Sequence, residues 1–243
     1  MQYIAYRSEA CASAHRHHPH ASPAMSASPA LRRHPRHLAR LLLRAATGLP
    51  VALLGVLLAA CGGGAARPLT PDEQALRVEL DGFSVLPPAG AGWLLASRSG
   101  ESVVFGRRPS RTHTLLALAS MKDGPREFAS PAELAAFVQE DWARTDKQDG
   151  RFTARQQAVR PDPRPSPTCV RYRLQAEDHG AKNRGDSPFL LQKSRGLFCY
   201  DPQRPRRIIH VGFSERALPQ EASPTFEADA ERFLDDVRRT DAP

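Results

Sequence analysis

No glycine-rich phosphate loop occurs in this chain. Neither the Walker pattern nor Gly-x-Gly-x-x-Gly is present, which removes the usual sequence support for nucleotide binding. Gly-x-Ser-x-Gly is also missing, and with it the nucleophile elbow of α/β hydrolases. No Cys-x-x-Cys occurs and no His pair accompanies the cysteines, which argues against a zinc site and a dithiol redox centre. No internal repeat is visible, and no long block of one charge sign. A nucleic-acid surface normally needs such a basic concentration. The net charge of +8 looks like a counterexample. However, residues 1–60 hold seven arginines and a single acid, Glu9; the remainder carries 27 Lys+Arg against 25 Asp+Glu. The basic character therefore belongs to the first quarter of the chain.

What that first quarter does contain is a leader pattern. Arg32, Arg33, Arg36, Arg40 and Arg44 precede the apolar run Val51 to Ala60, which ends in small residues before Cys61. A basic segment, a short apolar segment and a small-residue boundary describe a secretory signal peptide. The apolar run is well short of the roughly 20 residues a spanning helix needs. Leu58-Ala59-Ala60-Cys61 resembles the lipobox of bacterial lipoproteins. That resemblance implies cleavage before Cys61 and acylation of Cys61 by three chains, an anchor far firmer than one chain supplies. The competing reading is an uncleaved anchor helix, since residues 45–66 are uncharged; Pro50 and Gly62-Gly63-Gly64 speak against it. Met25 opens a leader of ordinary length, so the true start is expected there, and His15, His17, His18 and His20 then have no role. The expected organisation is a signal over 1–60, a lipidated cysteine and tether over 61–74, and one domain over 75–240.

An exported setting changes the meaning of the cysteines. Cys11 falls in the discarded leader and Cys61 is the lipid site, which leaves Cys169 and Cys199. An even pair in an oxidising compartment favours a disulfide; a reduced, buried pair is the alternative. Strand alternation tests the idea. Setting Cys169 against Cys199 in an antiparallel pair places Val170 against Phe198, Tyr172 against Gly196 and Leu174 against Ser194. The apolar members then share one face, and a one-residue slip would destroy the agreement. Directly opposed residues lie about 4.5–5.5 Å apart between Cα atoms, close enough to bridge. The loop of roughly thirty residues should contribute about 3 kcal/mol.

Period-2 runs predict strands at Phe83 to Leu86, Trp93 to Arg98, Ser102 to Arg107, Thr112 to Met121, Arg151 to Arg160, Cys169 to Ala176, Arg195 to Tyr200 and Arg207 to Ser214. Two segments change period. Ser130-Pro131-Ala132-Glu133 is an N-terminal capping pattern, followed by Leu134, Phe137, Val138 and Trp142 at helical spacing. Ser223-Pro224 repeats the pattern before Phe226, Ala230, Phe233, Leu234 and Val237, and Arg238 and Arg239 follow where they complement the helix's negative end. Short connections predict antiparallel pairing. The expected fold class is α+β, a largely antiparallel sheet with two main helices packed on it.

Candidate chemistry is sparse. The domain holds only His113, His179 and His210. His210 and Ser214, with Glu215 and Arg216 beside them, are the one set from which a hydrolase-like site can be drawn. A polar cleft joining His210 to Ser214 would support it; separated side chains would not. The plain alternative is a strand histidine and a strand-end serine, with Glu215 and Arg216 in water. Glu140-Asp141 and Asp235-Asp236 read as solvated acids, because helical neighbours diverge. Arg184-Gly185-Asp186 matches the integrin-binding tripeptide but reads as a turn.

Cys199-Tyr200-Asp201-Pro202, the strand ending at Phe213-Ser214-Glu215-Arg216, and the cysteine pair resemble uncharacterised proteobacterial lipoproteins. The element order, with Phe83 to Trp93 in particular, is similar to the PsbP/Mog1-like α/β/α sandwich, a fold that hosts binding and assembly roles. The expectation is a non-catalytic envelope module without cofactor or metal, binding an envelope protein or small ligand. Gly62 after the cysteine is not the aspartate of inner-membrane retention, so the periplasmic face of the outer membrane is expected. A periplasmic enzyme around His210 and Ser214 is the alternative.

Overall fold

The computed structural model describes residues 66–148, 150–204 and 206–240, without the side chains of 146–148. The signal, the histidine tract, Cys11 and Cys61 lie outside the described residues. No helix among the described residues is long and apolar enough to cross a membrane.

The elements run β1 (Arg67–Pro68), α1 (Pro71–Ala75), β2 (Val78–Leu80), β3 (Phe83–Val85), β4 (Leu94–Arg98), β5 (Ser102–Arg107), β6 (Thr114–Asp123), α2 (Pro131–Gln148), β7 (Phe152–Pro161), β8 (Cys169–Asp178), β9 (Leu190–Tyr200), β10 (Arg207–Ala217), α3 (Phe226–Asp235) and β11 (Arg238–Arg239). Eight strands form one sheet in the order β1-β4-β5-β6-β10-β9-β8-β7, and every described pairing is antiparallel. This is the α+β class expected, with α2 and α3 on opposite faces.

The two faces separate by alternation along β10. Ile209, Val211 and Phe213 join Phe226, Phe233 and Leu234 of α3 in the larger core. Ile208 joins Leu134, Val138 and Trp142 of α2 in the smaller one, together with Val170 and Tyr172. α2 begins as its capping pattern predicts: the Glu133 amide donates to the Ser130 hydroxyl, and the Glu133 carboxylate accepts from the Ala129 amide.

Cys169 stands opposite Cys199, with Val170, Tyr172 and Leu174 opposite Phe198, Gly196 and Ser194, the register drawn from the sequence. The two sulfurs are bonded, and the Cα atoms are 4.0 Å apart.

Several elements differ from expectation. Arg67–Pro68 pairs with β4, and Thr70 caps α1 in a full capping box with Glu73. Part of the segment read as tether is therefore built against the sheet; Thr70-Pro71-Asp72-Glu73 is the same grammar that starts α2. α3 starts at Phe226 rather than Pro224, because the Ser223 amide donates to buried Glu215 and the Ser223 hydroxyl accepts from the Thr225 amide. Arg238 does reach back to the Asp235 and Val237 carbonyls. The same residues also form β11, which pairs with β3 and so with β2 in a second, three-stranded sheet. Arg77 donates to the Asp236 carbonyl and the Thr240 amide to that of Gly82, tying the two ends of the described chain together.

Candidate functional site

Tyr172 is the centre of the α2 face. β8 aims it across β9 and β10, where the sequence supplies two glycines directly opposite one another, Gly196 and Gly212. A Cβ on Gly196 would lie 2.4 Å from the Tyr172 ring, and one on Gly212 would lie 3.0 Å from its hydroxyl. Glycine in a strand interior marks such a close approach. The Tyr172 hydroxyl lies 3.0 Å from His210 Nε2. Phe198, opposite His210 in the register, stacks on the imidazole with centroids 4.4 Å apart. Trp142 meets the Tyr172 ring edge-on at 5.6 Å.

Because α2 covers the β7–β9 end of this face, a cavity of about 310 Å³ remains over β6, β9 and β10. Its walls are largely aromatic and aliphatic, among them Leu118, Trp142, Phe198 and Ile208. Its polar groups include Lys122, Asp141, Gln192, Ser194, His210 and Ser214. Burial lowers the Lys122 pKa, and no carboxylate pairs with Lys122 among the described residues. Burial, helped by the Lys122 charge, drives the His210 pKa down to about 3, so the imidazole is neutral at neutral pH. Burial pushes the Tyr172 phenol up. His210 Nδ1 and the hydroxyl of Ser120, the residue facing it on β6, are buried without a hydrogen-bond partner.

His210 and Ser214 thus line one cavity, but they do not meet. They are four steps apart along the strand, roughly 13 Å at the strand rise, and Nε2 faces Tyr172. Ser214 lies opposite Ser194 and Leu116. Glu215, read from the sequence as solvated, is instead 1% exposed. Alternation turns it to the α3 face, where it lies 2.9 Å from His113 Nε2. Arg216 donates to Asp178, which is fully buried and also held by Arg151. Asp141 and Asp235 are likewise not free in water: Asp141 is buried beside the cavity, and Asp235 accepts from Arg171. His179 lies at the β8–β9 connection, 3.2 Å from the Thr153 hydroxyl. Arg184 folds back onto the carbonyls of His179 and Ala181, and Gly185 takes the positive φ, so the tripeptide is a turn. No group of three or more His, Cys, Asp or Glu side chains arranged to hold a metal occurs among the described residues.

Sequence reasoning missed Tyr172, Gly196, Gly212 and Trp142 as a cluster. The signal was there in the two glycines inside otherwise ordinary strand patterns.

The fold and cavity together define a sheet-and-helix sandwich with a lined pocket under one helix. Among solved structures, the chain is similar to the Saccharomyces cerevisiae Ran-binding protein Mog1p, with 11% identity over 68% of this chain and 94% of that one and a TM-score of 0.40. A point mutant of Mog1 matches at 12% identity, 69% and 96% coverage and a TM-score of 0.40. A Bacteroides thetaiotaomicron protein matches at 11% identity, 65% and 45% coverage and a TM-score of 0.33. No family model and no curated protein matches the chain.

Proposed function

We propose that this is a lipid-anchored envelope protein whose domain is a non-catalytic binding module, with its ligand seat in the cavity over Tyr172. The observation that carries the binding reading is the cavity itself: apolar walls, an unpaired Lys122 at one side and a neutral His210 in the floor. Such a pocket suits an apolar body bearing one negative or hydrogen-bonding group, whether a small molecule or a side chain inserted by an envelope protein. The hydrolase alternative needs Ser214 within reach of His210, and the strand keeps them apart. The anchor rests on the lipobox resemblance at Cys61, and the outer-membrane location on Gly62 standing where inner-membrane retention would have an aspartate.

Two measurements test the two halves. Anilinonaphthalene sulfonate, apolar with one negative charge, should bind saturably and quench Trp142 fluorescence. Lys122→Glu should weaken that binding about tenfold, and Leu118→Trp, which fills the cavity, should abolish it. Equal binding by the parent and Leu118→Trp would remove the seat. Separately, Cys61→Ser should move the protein from washed membranes to the soluble envelope fraction, and the parent's intact mass should include added acyl chains. A membrane-bound, uncleaved variant would support the anchor helix instead.

A further inference from the structure

The opposite face carries a second feature, built from arginine. Arg160 on β7 stands opposite Arg171 on β8, and Arg173 on β8 stands opposite Arg195 on β9. Like charges placed directly across a sheet destabilise it, so two such pairs side by side need compensation. Asp162 and the carboxylates of α3 answer only half of it. Arg171, itself buried, is bonded to Asp162, Glu231 and Asp235. Arg195 holds Glu227 through two hydrogen bonds of 2.6 and 2.5 Å.

Arg160 and Arg173 are exposed, and neither has a carboxylate partner among the described residues. The register makes them diagonal neighbours on one face, about 7–8 Å apart at the backbone. Two guanidinium groups on flexible stems can converge across that span. They border a cavity of about 300 Å³ whose other walls include Ala158, Arg171, Arg195, Glu227 and Glu231. The two acids on its rim are the ones already bonded to Arg171 and Arg195, so the guanidinium groups at the opening without an ion-pair partner among the described residues are those of Arg160 and Arg173.

We propose that this cavity is an oxyanion site, in which Arg160 and Arg173 together bind a phosphate group. Arginine is the fitting residue, since its planar fork donates two parallel hydrogen bonds to a phosphate, where lysine offers a point charge. A bound dianion would also relieve the two arginine–arginine oppositions. Tyr172 borders both cavities, but Arg160 and Arg173 lie on the opposite face of the sheet from His210, and the proposal does not depend on what occupies the cavity there. The phosphate could be carried by a soluble molecule or by a lipid headgroup, and the two sources share this chemistry.

The test uses the full chain in non-ionic detergent. Titration with inorganic phosphate should show saturable binding and a rise in melting temperature that chloride at matched ionic strength does not reproduce. The Arg160→Gln/Arg173→Gln double variant should lose at least tenfold in phosphate affinity and all of the phosphate-induced rise. In phosphate-free buffer it should melt no lower than the parent, because it removes opposed charges. Parallel titrations with glycerol 3-phosphate and with phosphatidic acid micelles separate the sources: tighter binding to the first assigns a soluble ligand, tighter binding to the second a headgroup. A phosphate effect matched by chloride, or one unchanged in the double variant, would overturn the proposal.

Discussion

Gly196→Ala is expected to destabilise the domain by about 3 kcal/mol, the upper end of the usual cost of overpacking, and to abolish ligand binding over Tyr172. The added methyl would lie within 2.4–2.5 Å of three Tyr172 atoms. A free tyrosine would swing aside at little cost. This one is held by Trp142 at its edge, Phe198 near its face and His210 at its hydroxyl. Displacing it breaks each of those contacts and fills the cavity floor. Gly212→Ala meets the hydroxyl at 3.0 Å, with His210 Nε2 and Leu118 Cγ farther off at 3.4 and 3.7 Å, and is expected to cost about 1 kcal/mol, the low end of the same range. Urea melts of the three proteins give the ranking. Near-ultraviolet circular dichroism reports whether Tyr172 and Trp142 keep their packing. A Gly196→Ala protein as stable as its parent, with an unchanged spectrum, would mean that the ring is not clamped.

The second large effect is acid sensitivity above the carboxylate range. His210 has a folded pKa of about 3 against an ordinary 6.5. The unfolded chain therefore binds a proton that the folded chain refuses, and stability must fall as pH drops below about 6.5. At about 1.4 kcal/mol per pH unit, the loss by pH 3 is on the order of 4 kcal/mol. The buried aspartates act later. Burial alone would raise Asp162, Asp178 and Asp201, but their arginine partners outweigh it and hold all three below the ordinary 3.8. Their contribution is complete above that value and is lost only as pH falls further. The window from pH 6.5 to 4.5 thus separates His210 from these aspartates. His210→Gln keeps a hydrogen-bonding group for Tyr172 but cannot titrate, and it should flatten the stability slope there by about 1.4 kcal/mol per unit. An identical slope in the variant would assign the sensitivity to another group.

How much of this could be read from residue order alone depends on the range of the interaction. Capping at Ser130 and the stripe Phe226, Ala230, Phe233, Leu234 are local, and they were legible. The β8–β9 register was legible for a special reason: two cysteines and the alternation of Val170, Tyr172 and Leu174 made independent demands that only one pairing meets. Tyr172 itself read as one more core residue. Its partners come from three other elements, and the space for its ring exists only because Gly196 and Gly212 fall side by side on adjacent strands. Glu215 was misread because polarity suggested water, while alternation and the distant His113 decided otherwise. β1, β2 and β11 were missed because strands of two or three residues carry too little pattern to show a period; β3, equally short, was legible because its run extends to Leu86 and stops at Pro87-Pro88.

The small sheet of β2, β3 and β11 joins distant parts of the chain. Its middle strand, Phe83–Val85, is hydrogen-bonded to Arg238–Arg239 from the far side of the sequence. Closing so long a loop costs entropy before the contact repays it, so a pairing of this kind forms late. In refolding, the main sheet should therefore assemble first, with Phe83 and Val85 settling into their finished layer only when that last latch engages.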